Sequence, residues 1–254
     1  ILTNSRMCAE GHRPICQDTG AVVVFLKIGM DVRFEGNMAL NDMINEGVRQ
    51  AYTHPDNKLR ASMVNPPVGQ RKNTGDNTGE RIPWIDWEIV PNDSGIHLNV
   101  YMAGGGCSLP GQGKTLMPAA GYEGVVQFVF DVMTSYGVNA CPPLLVGIGI
   151  GGSIEVAANL SKKALFRPIG SRHPDPRGAE MELLIEKGLN EIGLGPQGLS
   201  GKDSVMGVHI EKAARHPSTI SVAVSVGCWA HRRGAIRINA DMSYEILSHK
   251  GVAL

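Results

Sequence analysis

The 254-residue sequence lacks an excess of charge. Its 24 Lys and Arg balance 24 Asp and Glu, and the isoelectric point is near 7.2. A nucleic acid or an anionic membrane as main partner demands a basic surplus, so neither is expected. There is no run of about 18 apolar residues, which argues against a membrane-spanning helix. Residues 1–13 hold no apolar stretch of the kind a signal peptide needs, and the chain opens on Ile1 rather than Met, so the natural N-terminus is expected to be missing or trimmed. Aromatic residues are scarce, at 5%. Cysteine is sparse too: Cys8, Cys16, Cys107, Cys141 and Cys228 are odd in number and widely spread. Without a signal sequence that pattern speaks against a secreted disulfide framework and for a reduced, cytoplasmic protein.

Glycine, by contrast, is abundant at 32 residues. In a chain without low-complexity stretches, so much glycine points to loops that need close backbone approach, as around a ligand. Ala21 to Ile28 reads as a buried strand. Met38 to Tyr52 sets Leu40, Met43, Ile44, Val48 and Ala51 on one helical face. His54 to Arg81 is a long polar excursion carrying KNTGDNTG, Lys72 to Gly79. Strands are expected at Ile85 to Val90 and Ile96 to Met102, and Asp93–Ser94–Gly95 between them signals a hairpin.

Ala103 to Gly111 is a glycine-rich loop. Tyr122 to Tyr136 reads as a helix. Leu144 to Ile150 reads as a strand that ends in Gly151–Gly152–Ser153 before a helix from Ile154 to Ala164, an arrangement able to offer backbone N–H groups to an anion. A loop at Arg167 to Arg177 leads into a helix over Ala179 to Ile192. Further strands are expected at Val205 to Ile210, Ile220 to Val226 and Ala235 to Asn239. The expectation is a single α+β unit over 1–254, divisible into two lobes, with mixed sheets and flanking helices.

Three cysteines stand at the ends of regular elements: Cys16 in ICQDTG, Cys141 in ACPP and Cys228 in GCWAHRR. They lie about 125 and 87 residues apart, too far for a zinc knuckle or a ferredoxin-type run. Spacing therefore leaves both readings open, buried inert thiols or ligands. Three thiolate ligands would leave one iron of a [4Fe–4S] cluster open, and an open iron can polarise a substrate hydroxyl. Asp18, beside Cys16, could take a proton from a carbon next to a carboxylate. Asp–Thr–Gly is equally a good turn sequence. His216 could bind a carboxylate or be a surface histidine. Gly104 to Gly106 could approach a ligand or merely turn. His231, Arg232 and Arg233, and likewise Arg172 and His173, are undecided between an anion pocket and a solvated surface.

ICQDTG, KNTGDN, the triple-glycine loop, ACPP and ARHPSTISVAVSVGCWAHRRG, in that order from about residue 13 onward, resemble the class I fumarase and tartrate dehydratase family of iron–sulfur hydro-lyases. The resemblance implies a [4Fe–4S] cluster on Cys16, Cys141 and Cys228, with Cys107 not a required ligand. It implies substrate contacts from Gln17, Asp18, Gly105 and His216, with Asp18 and His216 catalytic. Lys72 and Asn73 to Asn77 are weaker candidates for the pocket wall. Single-chain members carry a further C-terminal region that supplies cationic groups, so a separate β subunit is expected to complete the site, in a heterotetramer built of αβ pairs. The substrate implied is a small hydroxy-dicarboxylate, tartrate or, alternatively, malate. A non-catalytic iron–sulfur sensor is the more distant alternative.

Overall fold

A computed structural model describes residues 1–65, 68 and 73–248. In chain order it begins with α1 (Leu2–Glu10), β1 (Ala21–Gly29), α2 (Leu40–Thr53), β2 (Trp84–Val90) and β3 (Ile96–Ala103). There follow α3 (Gly105–Ser108), β4 (Gln112–Leu116), α4 (Gly121–Tyr136), β5 (Leu144–Gly151), α5 (Ile154–Ala164), α6 (Pro176–Glu191), β6 (Val205–Lys212) and β7 (Ile220–Gly227). The chain then forms β8 (Arg232–Ile238) and β9 (Tyr244–Ile246). The architecture is α+β with mixed sheets. Two compact units are present: the described residues up to Gly104 with those from Arg232 onward, and Gly105–His231.

The first unit is built on a sheet of order β2-β1-β3-β8-β9. Along β1, Val22, Val24, Leu26 and Ile28 turn to one face, the alternation a strand imposes. Leu40, Ile44, Val48 and Tyr52, spaced at one turn of α2, pack on them. Burying each of these β1 side chains is worth roughly 1.5–3 kcal/mol.

The expected hairpin is absent. β1 lies between β2 and β3, parallel to the first and antiparallel to the second. The turn signal was sound but did not imply pairing. Residues 90–95 cross over the end of β1, where Gly29 N donates to Gly95 O (3.0 Å), Met30 N to Val90 O (2.9 Å) and Asp31 N to Asp93 O (3.1 Å). A side chain on Gly29 would collide with the Asp93 carbonyl. β1, the most apolar strand of this sheet, thereby gains a partner on both edges.

In the second unit the sheet order is β4-β7-β5-β6. Val146, Ile148 and Ile150 of β5 and Val222, Val224 and Val226 of β7 face a core shared with Val125, Val129, Ile185 and Leu189 of α4 and α6. The opposite face carries small residues. A side chain at Gly147 would strike Ser161 O and one at Gly149 would strike Ala157 O, so α5 lies directly on β5. Ser161 and Ser225 hydroxyls hydrogen-bond across this contact at 2.8 Å. These glycines thus serve helix–sheet packing. The first turn of α5 has its own anion: main-chain and Ser153 hydrogen bonds hold the Glu155 carboxyl below its ordinary pKa. The expectation of an anion cradle there is not supported.

Arg172 and His173 also receive a structural reading. Glu182 on α6 is fully buried and accepts from Arg167 Nη1 (2.7 Å), His173 N (2.8 Å) and Ile210 N (2.8 Å). Arg172 pairs with Glu186 at 2.7 Å. Removing one partner of a buried pair strands the other charge. Glu182→Ala is expected to cost about 3–5 kcal/mol in urea unfolding; a loss of under about 1 kcal/mol would show that Arg167 finds another partner.

Strand β4, helix α1 and strand β9 had no counterpart in the sequence reading, and the glycine-rich loop contains the single turn α3.

Candidate active site

The loop Cys16–Gly20, just before β1, is held by its main chain and the Thr19 hydroxyl. Gln17 O accepts from Arg60 N at 3.1 Å. Thr19 Oγ1 donates to Arg60 O at 3.4 Å and accepts from Ser62 N at 3.2 Å. Gly20 O accepts from Asn77 Nδ2 at 2.9 Å. Asp18 O accepts from Arg232 Nη1 at 2.5 Å. With its carbonyls fixed in this way, the loop presents the exposed side chains of Gln17 and Asp18 in a set geometry. Asp18 N in turn donates to Cys16 Sγ at 3.4 Å.

Asn77 is fully buried, so the KNTGDN segment does reach this loop. Lys72 lies outside the described residues. The sequence reading did not single out Arg60, whose main chain grips Gln17; the loop carries little signal of it.

In the second unit three thiols gather at one corner. Cys141 caps the 3₁₀ turn Gly137–Ala140 in a left-handed conformation (φ 57°) and is exposed. Cys228 directly follows β7, and Trp229 N donates to Cys141 O at 3.3 Å, tying the two loops together. Cys107 is buried on α3. α3 presses on the same 3₁₀ turn: a Cβ on Gly106 would lie 2.5 Å from Asn139 O. A hydrogen bond with Cys107, burial, and the charges of Cys107 and Cys141 together push the Cys228 thiol well above its ordinary range, while Ala230 N–H pulls the other way.

Burial also depresses the Lys162 ammonium, and the nearby Cys107 opposes that. A cation thus stands by the thiols. Cys107, set aside on sequence grounds, belongs to this corner.

Two expected ligands therefore share a local device. Cys16 and Cys228 each accept an N–H from the residue two positions on, Asp18 and Ala230. Among the described residues no three His, Cys, Asp or Glu side chains converge as on a single ion. A cluster spreads its ligands over separate irons and does not require that convergence.

Gly104, not Gly105, is the glycine the Asp18 side demands. A Cβ on Gly104 would sit 2.8 Å from Asp18 Oδ2, whereas one on Gly105 would meet open space. Arg233 is set against Tyr101, its cross-strand partner, and burial lowers its pKa.

His216 stands elsewhere in the second unit. It lies in the turn before β7, whereas Cys228 follows the end of that strand. An eight-residue strand spans roughly 25 Å. The structure thus sets His216 at the far end of β7 from the thiol corner. Its Nδ1 accepts from Ser218 N at 3.1 Å, leaving Nε2 as the donor, and Arg215 Nη1 clamps the turn through His216 O at 3.2 Å.

This order of motifs and cysteines has a match. The family model described as Fumarate hydratase (Fumerase) covers residues 1–237. The chain belongs to this fumarate hydratase family. The family makes the chain a hydro-lyase. L(+)-tartrate dehydratase subunit alpha of Escherichia coli strain K12 is 53% identical over 254 residues, 100% of this chain and 82% of that protein. The protein of the same name from strain UTI89 has the same identity and coverage. A putative L(+)-tartrate dehydratase subunit alpha of Methanocaldococcus jannaschii is 37% identical over 242 residues, 95% of this chain and 84% of that protein. Each relative is named as an alpha subunit, which implies a partner subunit for those fumarate hydratase family members. No helix among the described residues is long and apolar enough to cross a membrane.

Proposed function

We propose that this chain is the cluster-binding α subunit of a [4Fe–4S] hydro-lyase that dehydrates L(+)-tartrate to oxaloacetate and water. The observation that carries the reading is the pairing of backbone N–H donors with Cys16 and Cys228, the latter in a corner shared with Cys141. Beside Cys107 and Cys141 the Cys228 thiol favours its neutral form until a cation takes up the charge, which supports the reading of a cluster held by Cys16, Cys141 and Cys228. When bound, the cluster would supply an open iron as Lewis acid to the departing hydroxyl.

The chain's own residues do the rest. The Asp18 carboxylate takes the proton from the carbon next to a substrate carboxylate, and the C–H electron pair becomes the new double bond. The neighbouring carbon loses its hydroxyl together with the C–O electron pair, and the proton that Asp18 gives back to solvent balances it, so that proton and hydroxide together leave as one water. The enol product tautomerises to oxaloacetate. Gln17, on the same fixed loop, donates its carboxamide N–H to the substrate. The main chain at Gly105, with no side chain in the way, lines the path of approach. Given its distance from Cys228 within the unit, His216 is assigned no proton step there; its Nε2–H is proposed to bind a substrate carboxylate in the assembled enzyme.

A separate β subunit is proposed to supply the remaining cationic groups for the dicarboxylate, in a cytoplasmic heterotetramer of two αβ pairs. Co-expression of α and β, reconstitution without oxygen, and kcat/KM for L-tartrate against L-malate test the proposal. A site built to bind the second hydroxyl should prefer tartrate by about 10²-fold or more. Preference for malate would make the enzyme a two-subunit fumarase. Activity on neither, with a full cluster, would overturn the tartrate reading and send the search to other dicarboxylates first and to the iron–sulfur sensor next.

A further inference from the structure

We propose that Arg232 is the positioning residue for Asp18, a role that rests on the reading of Asp18 as the proton acceptor.

Three segments of the first unit meet at one end of its sheet. Ala21, first in β1, pairs with Ala103, and Met102 pairs with Arg232, first in β8. Cys16–Gly20 leads into this end and Gly104 leaves it. Arg232 reaches across the join. Its Nη1 donates to the Asp18 carbonyl at 2.5 Å. Its Nη2 lies 3.3 Å from where a Cβ would stand on Gly20 and 3.6 Å from where one would stand on Gly104.

The two glycines leave room for different things. A Cβ on Gly20 would come within 2.7 Å of Met102 Cβ and crowd the guanidinium, and one on Gly104 would come within 2.8 Å of Asp18 Oδ2. The guanidinium therefore holds the Asp18 main chain, and Gly104 admits the Asp18 carboxylate. Tyr52 borders the same charge: burial raises its phenol pKa and Arg232 counters that.

A planar fork suits this task better than an ammonium. Arg offers one N–H to the carbonyl while a second nitrogen fills the slot between two glycines, and the charge strengthens the bond to the carbonyl. The bond is made to the main chain of Asp18, so it fixes where the carboxylate starts from. Displacing a proton acceptor by about 1 Å costs on the order of 10²-fold in rate.

The test uses the αβ holoenzyme with a reconstituted cluster and its best dicarboxylate substrate. Arg232→Lys and Arg232→Ala are compared with wild type, with rates expressed per cluster. Both variants should lose about 10- to 100-fold in kcat with KM changed less than about threefold. The primary deuterium isotope effect on kcat, with substrate deuterated at its C–H carbons, should rise toward its limiting value as proton removal becomes slower. Added guanidinium should restore part of the Arg232→Ala rate, and ammonium should not. A merely structural role would lower the active fraction and leave the isotope effect unchanged. That result, an effect confined to KM, or wild-type kinetics would each overturn the proposal. Asp18→Asn is run alongside: full activity there would instead remove the reading of Asp18 on which the role of Arg232 depends.

Discussion

Asp18→Asn is expected to lower kcat by about 10²- to 10⁴-fold while the cluster stays bound. The substitution is nearly isosteric, and two contacts that hold Asp18 in the loop are made by its main-chain atoms: Asp18 O with Arg232, Asp18 N with Cys16 Sγ. Neither of these requires the carboxylate. What the amide cannot do is accept the proton. Because the interaction is gained only as the C–H bond breaks, kcat and kcat/KM should fall together.

His216→Asn is the contrasting variant. If its imidazole binds a carboxylate without moving a proton, KM should rise while kcat holds. Steady-state kinetics with cluster absorbance on each preparation decides the matter. Loss of the cluster from Asp18→Asn would show that Asp18 serves folding, and an unchanged kcat would move the proton step to another group.

The elements that sequence reading found best are those whose pattern repeats: β1 with its apolar run, α2 and α4 with their apolar stripes, β5 and β7 with their continuous buried runs. β4 escaped because QGKTL is exposed along most of its length and becomes a strand only by pairing with β7. Strand order was not legible either. The turn before β3 looked like a hairpin because turn chemistry is local, whereas the partner of a strand is set by which edge most needs covering.

At the site, Cys16, Gln17 and Asp18 were legible through the ICQDTG motif. Arg232 was not, since a guanidinium in a run of His, Arg and Arg carries no mark of the one carbonyl it will meet. The same limit applies to Cys107. Its neighbours Cys141 and Cys228 are distant in sequence, and only the packing of α3 on the turn Gly137–Ala140 brings them together.

The second large effect concerns those thiols. Cys16→Ala, Cys141→Ala and Cys228→Ala are each expected to lose the cluster on reconstitution without oxygen, and with it all measurable turnover. Cys107→Ala should keep a cluster, and Cys8→Ala should resemble wild type. The distinction is not one of distance alone, because Cys107 hydrogen-bonds with Cys228 and lies in the same corner. It rests on how the sulfurs are presented. Cys141 is exposed at a left-handed cap, and Cys16 and Cys228, in loops that flank strands, each receive a backbone N–H from the residue two positions on. Cys107 is buried on its helical turn, and its neighbours are Cys228 and the cation of Lys162.

Each ligand variant deletes one small side chain, and none of the three cysteines is fully buried, so the fold should survive; near-ultraviolet circular dichroism checks that. Iron and acid-labile sulfide per chain then read the cluster directly, without reference to activity. A full complement in any of the three ligand variants would strike that residue from the ligand set. Loss of iron in Cys107→Ala would promote Cys107 from neighbour to ligand, and would mean that burial on α3 does not keep a sulfur from the metal.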